Sequence, residues 1–372
     1  MSKASAKICW AFLTFVLVAS CGKNERLGHG EDEWERLSGD APIAFSSNVS
    51  DPRTRTSLYP TSNNFRVFAF YQPGSGGDPG AWQPLTWTSS FMYNQEVTYS
   101  GGSWTYSPVK YWPNNSENTL TFWAYAPYFG EYDEETNHVL RLRTGNAGSD
   151  YGNNTAGVPD VQFTTNAAAS HDLMISDLAT NQSYRGGEPA TGTVTLNFRH
   201  VMCLVDFNVY KVDPDDNYEM CLRSLSIEDI YFTAVYKQSI ATPAWRNHSG
   251  TPGSITVYQT VEPSPDTLLD KTDPAEFPGP SKQVMPIPQS LLSSADNTPV
   301  LHVVYTFREA GSSAIPAVQE SYFPLGRLQN EWEKGKHYTY NIHIAPGVPI
   351  RFTATVQQWD APEQKGYFYV NE

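Results

Sequence analysis

The sequence lacks the signatures of the common enzyme and metal-binding classes. It contains no G-x-S-x-G, no H-E-x-x-H and no phosphate-binding loop, and its eight histidines are scattered. No two cysteines have the C-x₂-C spacing of a zinc site. Ser107 and Lys110 have the S-x-x-K spacing of serine acyl-enzymes, but Pro108 predicts a strand or turn where that chemistry needs a helix. We therefore expect no enzyme and no cofactor.

Charged side chains are also scarce, at 17% of the 372 residues, and their balance is acidic. The 25 basic and 39 acidic residues give a formal net charge of −14. A protein that binds nucleic acid needs a basic stripe to replace counterions around the phosphates, and none is visible. Asp213, Asp215 and Asp216 could touch a calcium ion, but the rest of a calcium loop is missing, so they predict a solvated acidic turn. The composition excludes nucleic acid as a partner and fits an extracytoplasmic surface.

Sustained helical periodicity is absent from the first half, whereas turn and strand residues abound. The chain has 26 glycines, 27 prolines and 13% aromatic residues, with 22 tyrosines and 10 tryptophans. That mixture predicts short strands joined by many turns, with aromatic side chains packed between sheets. Phe65 to Tyr71 alternates and predicts a half-buried strand. In Thr119 to Tyr125 the alternation places Phe122 on one face and Trp123 on the other. We predict an all-β fold.

The most strand-like run extends from Thr193 to Tyr210. Its apolar positions change phase beyond His200, which predicts a β-bulge or a bend at Arg199 to Met202. We place the domain boundary just before this run, so that one β-sandwich comprises residues 41–192 and a second comprises residues 193–372. Later strands are predicted at Ile255 to Tyr258, Leu301 to Phe307, Tyr338 to Ile344, Phe352 to Val356 and Tyr367 to Val370, and a long loop at Pro263 to Pro280.

The N-terminus has the layout of a secretory signal peptide. Lys3 and Lys7 precede the mostly apolar run Ile8 to Val18, which is too short to remain as a membrane-spanning helix. Val-Ala-Ser directly before Cys21 resembles a bacterial lipobox. This resemblance implies that residues 1–20 are removed and that Cys21 becomes a lipidated first residue, which anchors the protein in a membrane. The polar residues 21–40 are expected to form a flexible tether.

Two cysteines remain after Cys9 leaves with the signal peptide and Cys21 carries lipid. They are Cys203 and Cys221. The extracytoplasmic compartment permits a disulfide between them. Two buried free thiols are the equally weighted alternative.

A series of short segments, each weak alone, occurs in an order that resembles the fimbrillin family, the pilin-like lipoproteins of Gram-negative anaerobes. The segments are Ile43 to Arg55, Phe65 to Ala69, Tyr106 to Pro113, Phe122 to Pro127, His171 to Met174, Leu196 to His200, Pro286 to Gln289, Trp332 with Gly335 and Tyr338, and Phe352 to Val356 with Trp359.

The resemblance implies two tandem transthyretin-like Greek-key β-sandwich domains and export to the outer membrane as a lipoprotein. In the stalk subunits of that family, a trypsin-like, arginine-specific protease removes the first strand, and a neighbouring subunit donates a strand to the vacated groove. Here the first strand would be Pro42 to Phe45, the cleavage site Arg55 or Arg53 with Arg36 as an outside candidate, and the donated strand Gly366 to Val370.

Two alternatives to a cleaved, polymerising subunit stay open. A fimbrial anchor or tip subunit would keep its first strand. A stand-alone surface lipoprotein could bind glycans through exposed aromatic side chains such as Trp82, Trp87 and Trp104. The burial of these three tryptophans distinguishes the glycan-binding lipoprotein from the fimbrial subunit, because packed indoles belong to a hydrophobic core and exposed ones can bind sugar rings.

Overall fold

The structure, a computed structural model, describes residues 38–49, 57–58, 64–144, 149–184, 192–238, 241–260, 266–279 and 283–359. Within them the chain forms β-strands and one 3₁₀ helix, η1 (Leu325–Arg327), so the prediction of an all-β fold is confirmed. No helix in these ranges is long and apolar enough to cross a membrane. The tandem transthyretin-like Greek-key arrangement stays a prediction.

The strands up to residue 200 are β1 (Ser38–Pro42), β2 (Ala44–Val49), β3 (Ser57–Leu58), β4 (Phe65–Gln72), β5 (Met92–Ser100), β6 (Ser103–Thr105), β7 (Tyr111–Pro113), β8 (Thr119–Ala126), β9 (Leu140–Thr144), β10 (Ser149–Asp150), β11 (Asp160–Thr164), β12 (Met174–Ser176), β13 (Ala179–Gln182) and β14 (Thr193–His200). The later strands are β15 (Leu204–Lys211), β16 (Tyr218–Ile230), β17 (Thr233–Lys237), β18 (Ala244–Ser249), β19 (Gly253–Gln259), β20 (Thr267–Leu268), β21 (Ala275–Phe277), β22 (Val300–Glu309), β23 (Ala317–Pro324), β24 (Lys336–Ile344) and β25 (Arg351–Gln358).

Hydrogen-bonded pairing sorts the described strands into five sheets. The largest has nine strands in the order β3-β2-β14-β12-β8-β4-β5-β6, and β13 also pairs with β8. A five-stranded sheet has the order β10-β9-β11-β17-β18, and β1 and β7 form a two-stranded ribbon. The other strands form a four-stranded sheet, β21-β15-β24-β25, and a five-stranded sheet, β19-β16-β22-β23, to which β20 adds beside β16.

The nine-stranded sheet is covered on both faces. Phe65 and Phe122 belong to an apolar cluster on one face, the front core, whereas Phe68 and Trp123 belong to a cluster on the other, the rear core. The predicted opposite facing of Phe122 and Trp123 is thus confirmed. The prediction of a half-buried strand at β4 is wrong, because β11 and β17 cover its second face with side chains such as Tyr236.

A third cluster, the C-terminal core, joins the two sheets of the second half. Val205 and Phe207 of β15 and Tyr340 of β24 pack with Ile227 of β16 and Leu301 of β22. The strands predicted within β19, β22, β24 and β25 are confirmed. The long loop predicted at Pro263 to Pro280 contains two short strands, β20 and β21, which pair with β16 and β15.

The phase change beyond His200 marks a bend at Met202 where the chain passes from one sheet to another, so of the two predicted alternatives the bend is confirmed and the bulge is not. β14 ends at His200 and pairs with β2 and β12, whereas β15 begins at Leu204 and pairs with β24. The boundary predicted at Thr193 therefore precedes a strand that belongs to the nine-stranded sheet. Moreover, β17 returns after this passage to pair with β11. No single position in the sequence therefore divides the described strands into two sets that each form their own sheets.

The described chain begins with strand structure earlier than the predicted tether allows. β1 starts at Ser38 and pairs antiparallel with β7, so the last residues assigned to the 21–40 tether are paired backbone. The rest of the tether and the predicted strand Tyr367 to Val370 lie outside the described residues.

Candidate functional site: the first strand and its groove

The predicted first strand, Pro42 to Phe45, spans the end of β1 and the start of β2, and β2 together with the preceding Ile43 buries one face of its side chains. The side chains of Ile43, Phe45 and Val49 enter the front core, and each is at most 6% exposed. Ser46 and Asn48 face the other way, toward Thr195 and Asn197 of β14. This period of two is what a sheet requires of a strand with one packed face.

β2 fills a slot between β14 and β3. It pairs parallel with β14 over six residues, from Ala44 opposite Thr193 to Val49 opposite Phe198. On its other side, only Asn48 and Val49 pair with the two residues of β3. Residues 50–56, which contain the predicted cleavage sites Arg53 and Arg55, connect β2 to β3 and lie outside the described residues. Arg36 and Cys21 also lie outside them.

Aromatic side chains line the floor of this slot, which we call the first-strand groove. The Phe45 ring lies 5.4 Å from the Tyr106 ring, 5.8 Å from Phe122 and 6.3 Å from Phe65, with the last two edge to face. Edge-to-face pairs add to the free energy gained from burial alone. Burying Ile43, Phe45 and Val49 contributes about 5–9 kcal/mol, at roughly 1.5–3 kcal/mol each. That sum is comparable to the whole stability of a typical domain.

The segment before β7 clamps the start of β2. The backbone N–H of Ile43 donates to the carbonyl of Lys110 at 2.9 Å, and the Tyr106 hydroxyl lies 2.9 Å from the Ile43 carbonyl. Burial raises the pKa of Tyr106 to about 12, so the hydroxyl remains a neutral donor even at moderately alkaline pH. Trp112 Nε1 donates to the carbonyl of Gly192, immediately before β14. The aromatic segment Tyr106 to Pro113 is visible in the sequence, but no local pattern there signals its contact with the start of β2.

The clamp can be tested with Tyr106→Phe, which removes only the hydroxyl. We expect the free energy of unfolding to fall by about 0.5–1.5 kcal/mol, the usual net value of one hydrogen bond. Hydrogen exchange at the Ile43 amide should accelerate in the variant, measured by mass spectrometry of peptides covering β2. Tyr322→Phe, on the exposed strand β23, is the matched control and should leave both quantities unchanged. If the two substitutions changed the free energy of unfolding and the hydrogen exchange equally, the Tyr106 hydroxyl would have no special role in holding β2.

The structure has Cys203 and Cys221 as free thiols, one buried and one half-buried, and a disulfide between them stays a prediction. Cys203 is fully buried in the C-terminal core, and its thiol donates to the carbonyl of Pro286. Cys221 alternates with the buried Met220 and Leu222 on β16, so its side chain lies on the opposite face of that sheet from the core. Burial raises the pKa of both thiols.

The other candidate sites from the sequence show no arrangement for catalysis or for binding a metal ion in the described residues. Ser107 and Lys110 lie between β6 and β7, without a helix to bring them together. In the acidic turn, Asp216 is paired with Lys211 at 2.7 Å and with Lys271 at 2.5 Å. Asp213 accepts a hydrogen bond from a backbone amide. Within the described residues, no group of three or more His, Cys, Asp or Glu side chains could hold a metal ion.

The three tryptophans considered for glycan binding, Trp82, Trp87 and Trp104, are half-buried rather than fully exposed to solvent. Trp82 and Trp87 pack against the rear core, and Trp104 packs against the front core. The Trp82 ring is edge to face with Phe70 at 5.1 Å, and the Trp104 ring lies 4.9 Å from Phe65. These indoles serve packing, which weakens a glycan-binding interpretation that rests on them.

Comparison with known proteins supplies the context for this groove. Fimbrium subunit Fim1C of Phocaeicola vulgatus (strain ATCC 8482) is 28% identical over 231 residues, which span 59% of this chain and 57% of that protein. The crystal structure of a fimbrial protein from Bacteroides vulgatus ATCC 8482 has a similar fold, with a TM-score of 0.65 at 20% identity, over 86% of this chain and 99% of that chain. A profile of the fimbrillin-like family matches residues 52–359. The chain therefore belongs to the fimbrillin-like family.

Proposed function

We propose that this chain is a structural subunit of a cell-surface fimbria that supports adhesion and joins its neighbours by strand exchange. The precursor is lipidated at Cys21 and reaches the outer membrane. An arginine-specific protease then cuts after Arg55 or Arg53. The observation that carries the proposal is the position of β2, which fills a groove in the front core and is followed at once by the segment with both arginines.

Loss of β2 would leave a surface that favours a replacement strand. Along β14, the backbone groups from Thr193 to Phe198 that now pair with β2 would become an open edge. Beside that edge, Phe65, Tyr106 and Phe122 would lose the Phe45 ring as a neighbour. A donated strand restores both the hydrogen bonds and the apolar contacts, which is the physical basis of β-strand addition.

The donor is a strand from a copy of this chain or from a related subunit. In this chain, Gly366 to Val370 supplies the sequence for such a strand, because Phe368 and Val370 fall at alternate positions, as Ile43 and Phe45 do at the start of β2. Alternate apolar side chains match the period of a strand that buries one face. An anchor or tip subunit that keeps its first strand is the alternative role within the same family.

The experiment is mass spectrometry of the mature N-terminus of protein recovered from the cell surface. We expect a start at Thr56 or Thr54, in material that forms ladders resistant to SDS. The variant Arg53→Ala/Arg55→Ala should remain at full length with acylated Cys21 and should form no ladder. Arg246→Ala, an exposed arginine on β18, is the control and should be processed normally. A start at acylated Cys21 with no shorter form in the wild type would overturn cleavage and leave an uncut anchor or tip.

A further inference from the structure

Two neighbouring depressions on the first half of the molecule meet at a β-bulge. One has a volume of about 550 Å³, the other about 220 Å³, and both are lined by Tyr93 and Asn94. Where β4 advances from Val67 to Ala69, β5 advances from Gln95 to Met92, so β5 contains one extra residue. Asn94 has a left-handed backbone, with φ of 48°. Such bulges re-aim side chains out of the regular pleat, and they are common beside functional sites. We call the two depressions together the tyrosine trough.

Arginine side chains stacked on tyrosine rings stiffen the walls of the trough. The Arg66 guanidinium lies 3.6 Å from the centre of the Tyr128 ring, and its Nη1 donates to the carbonyl of Asn94 at 2.9 Å. The Arg141 guanidinium lies 4.7 Å from the centre of the Tyr132 ring. These contacts hold long side chains in one geometry before any ligand arrives, which lowers the entropy cost of binding.

Polar groups from separate segments converge in the trough. Asn94 Oδ1 accepts a hydrogen bond from the Tyr125 hydroxyl at 3.0 Å, and Tyr93 donates to the Tyr151 carbonyl at 2.8 Å. Glu131 accepts from Tyr128 at 2.6 Å, yet its side chain is 75% exposed, so it keeps lone pairs free toward solvent. Tyr93 is 38% exposed as a residue, and its ring stacks at 6.2 Å on Tyr151. The floor therefore combines a partly accessible aromatic side chain with carboxylate and amide groups.

Charge narrows the class of ligand. The trough is lined by the guanidinium groups of Arg66 and Arg141 and by the carboxylates of Glu96, Glu131 and Asp150. The arginines are already committed to those acids: Arg141 Nη2 lies 2.8 Å from Asp150, and Arg66 Nη2 lies 3.6 Å from Glu96. No surplus of positive charge is left for a phosphate or a carboxylate, and the polar lining does not suit an apolar ligand.

We propose that the tyrosine trough binds a neutral oligosaccharide. Sugar rings present C–H groups on their faces, which suit the negative face of an aromatic ring, and hydroxyls around their edges. Those hydroxyls both donate and accept, and Glu131, Asp150 and Asn94 offer the complementary acceptors and donors. This site is separate from the first-strand groove. It gives the chain a direct part in adhesion that does not depend on how the subunits are joined.

The test is saturation-transfer-difference NMR with the whole folded chain and four sugars. Lacto-N-neotetraose, maltotetraose and cellotetraose are the neutral probes, each at about 10 mM, because a shallow polar site binds in the millimolar range. 3′-Sialyllactose is the acidic comparison. We expect transfer to at least one neutral sugar and at least about tenfold weaker binding of the acidic one, since carboxylates line the trough.

Variants locate the binding in the trough. Tyr93→Ala removes the exposed ring, and Asn94→Gly keeps the left-handed backbone while removing the amide. Each should weaken binding about tenfold or more. Tyr322→Ala, an exposed tyrosine on β23, is the matched control and should bind normally. Thermal unfolding verifies that each variant is folded.

Three outcomes would overturn the proposal. They are the absence of transfer to all three neutral sugars, stronger binding of the sialylated sugar, and equal binding by the trough variants and the control. None of them bears on strand exchange, because processing of the N-terminus and ladder formation are measured separately. Conversely, an uncleaved wild type would overturn strand exchange and leave the sugar site intact.

Discussion

Replacement of Phe45 by alanine should lower the free energy of unfolding of the uncut chain by about 3–5 kcal/mol, the usual cost of deleting a buried aromatic side chain. The reason is that Phe45 is 5% exposed and touches three aromatic rings of the front core. Urea unfolding followed by tryptophan fluorescence gives the measurement, because Trp112 lies in the same core.

The matched control for Phe45→Ala is the next residue along β2. Ser46 faces outward and bonds Thr195 Oγ1 at 2.9 Å, so Ser46→Ala should cost no more than about 1 kcal/mol. Similar losses for the two variants would mean that the front core does not depend on the first strand. A large loss for Phe45→Ala alone would show that the groove needs an aromatic side chain at this position, whichever strand supplies it.

Asp160→Ala should destabilise the chain by about 3–5 kcal/mol, because it removes the buried carboxylate that faces the buried ammonium group of Lys237. Asp160 is 1% exposed and Lys237 is 8% exposed, and Lys237 Nζ lies 3.1 Å from Asp160 Oδ2. The other carboxylate oxygen accepts from the Gln238 amide at 2.7 Å. The pair joins β11 to β17, so the loss should appear in the unfolding transition of the nine-stranded and adjoining five-stranded sheets.

The double variant Asp160→Ala/Lys237→Met tests whether the loss of stability comes from leaving one charge buried or from losing the ion pair itself. Because removing both charges ends the desolvation penalty, we expect it to recover much of the stability that the single variant loses. Glu219→Ala, which breaks the more exposed pair with Arg308, is the control and should cost less than about 1 kcal/mol. A double variant as unstable as Asp160→Ala would contradict the interpretation.

The local structure of this protein could largely be predicted from its sequence. Alternation identified the strands around Phe122 and Trp123, because the pleat sends successive side chains to opposite faces. The phase change beyond His200 was also visible, but a bulge and a passage between sheets produce the same local pattern. Only long-range pairing distinguishes them, and pairing partners are not encoded near the strand itself.

The same limit explains what was missed at the site. The apolar strand at Phe45 and the arginines after it are local signals. The parallel register of β2 on β14 and the Tyr106 clamp depend on residues about 60 to 150 positions away in the sequence. The tyrosine trough was missed because Tyr93, Tyr128 and Arg141 come together only after the sheets have formed.

The lateral attachment of β2 has a mechanical consequence. β2 lies alongside β14 with six residue pairs in continuous register, so a pull along the strand axis loads these pairs in shear and stresses them together. A strand held this way cannot peel off one bond at a time. Resistance to a sudden pull is then set by the rate of unfolding rather than by the equilibrium stability. A strand donated into this groove in the same direction would inherit that loading, and a fibre built from such joints would withstand brief, strong flow better than its binding free energy alone suggests.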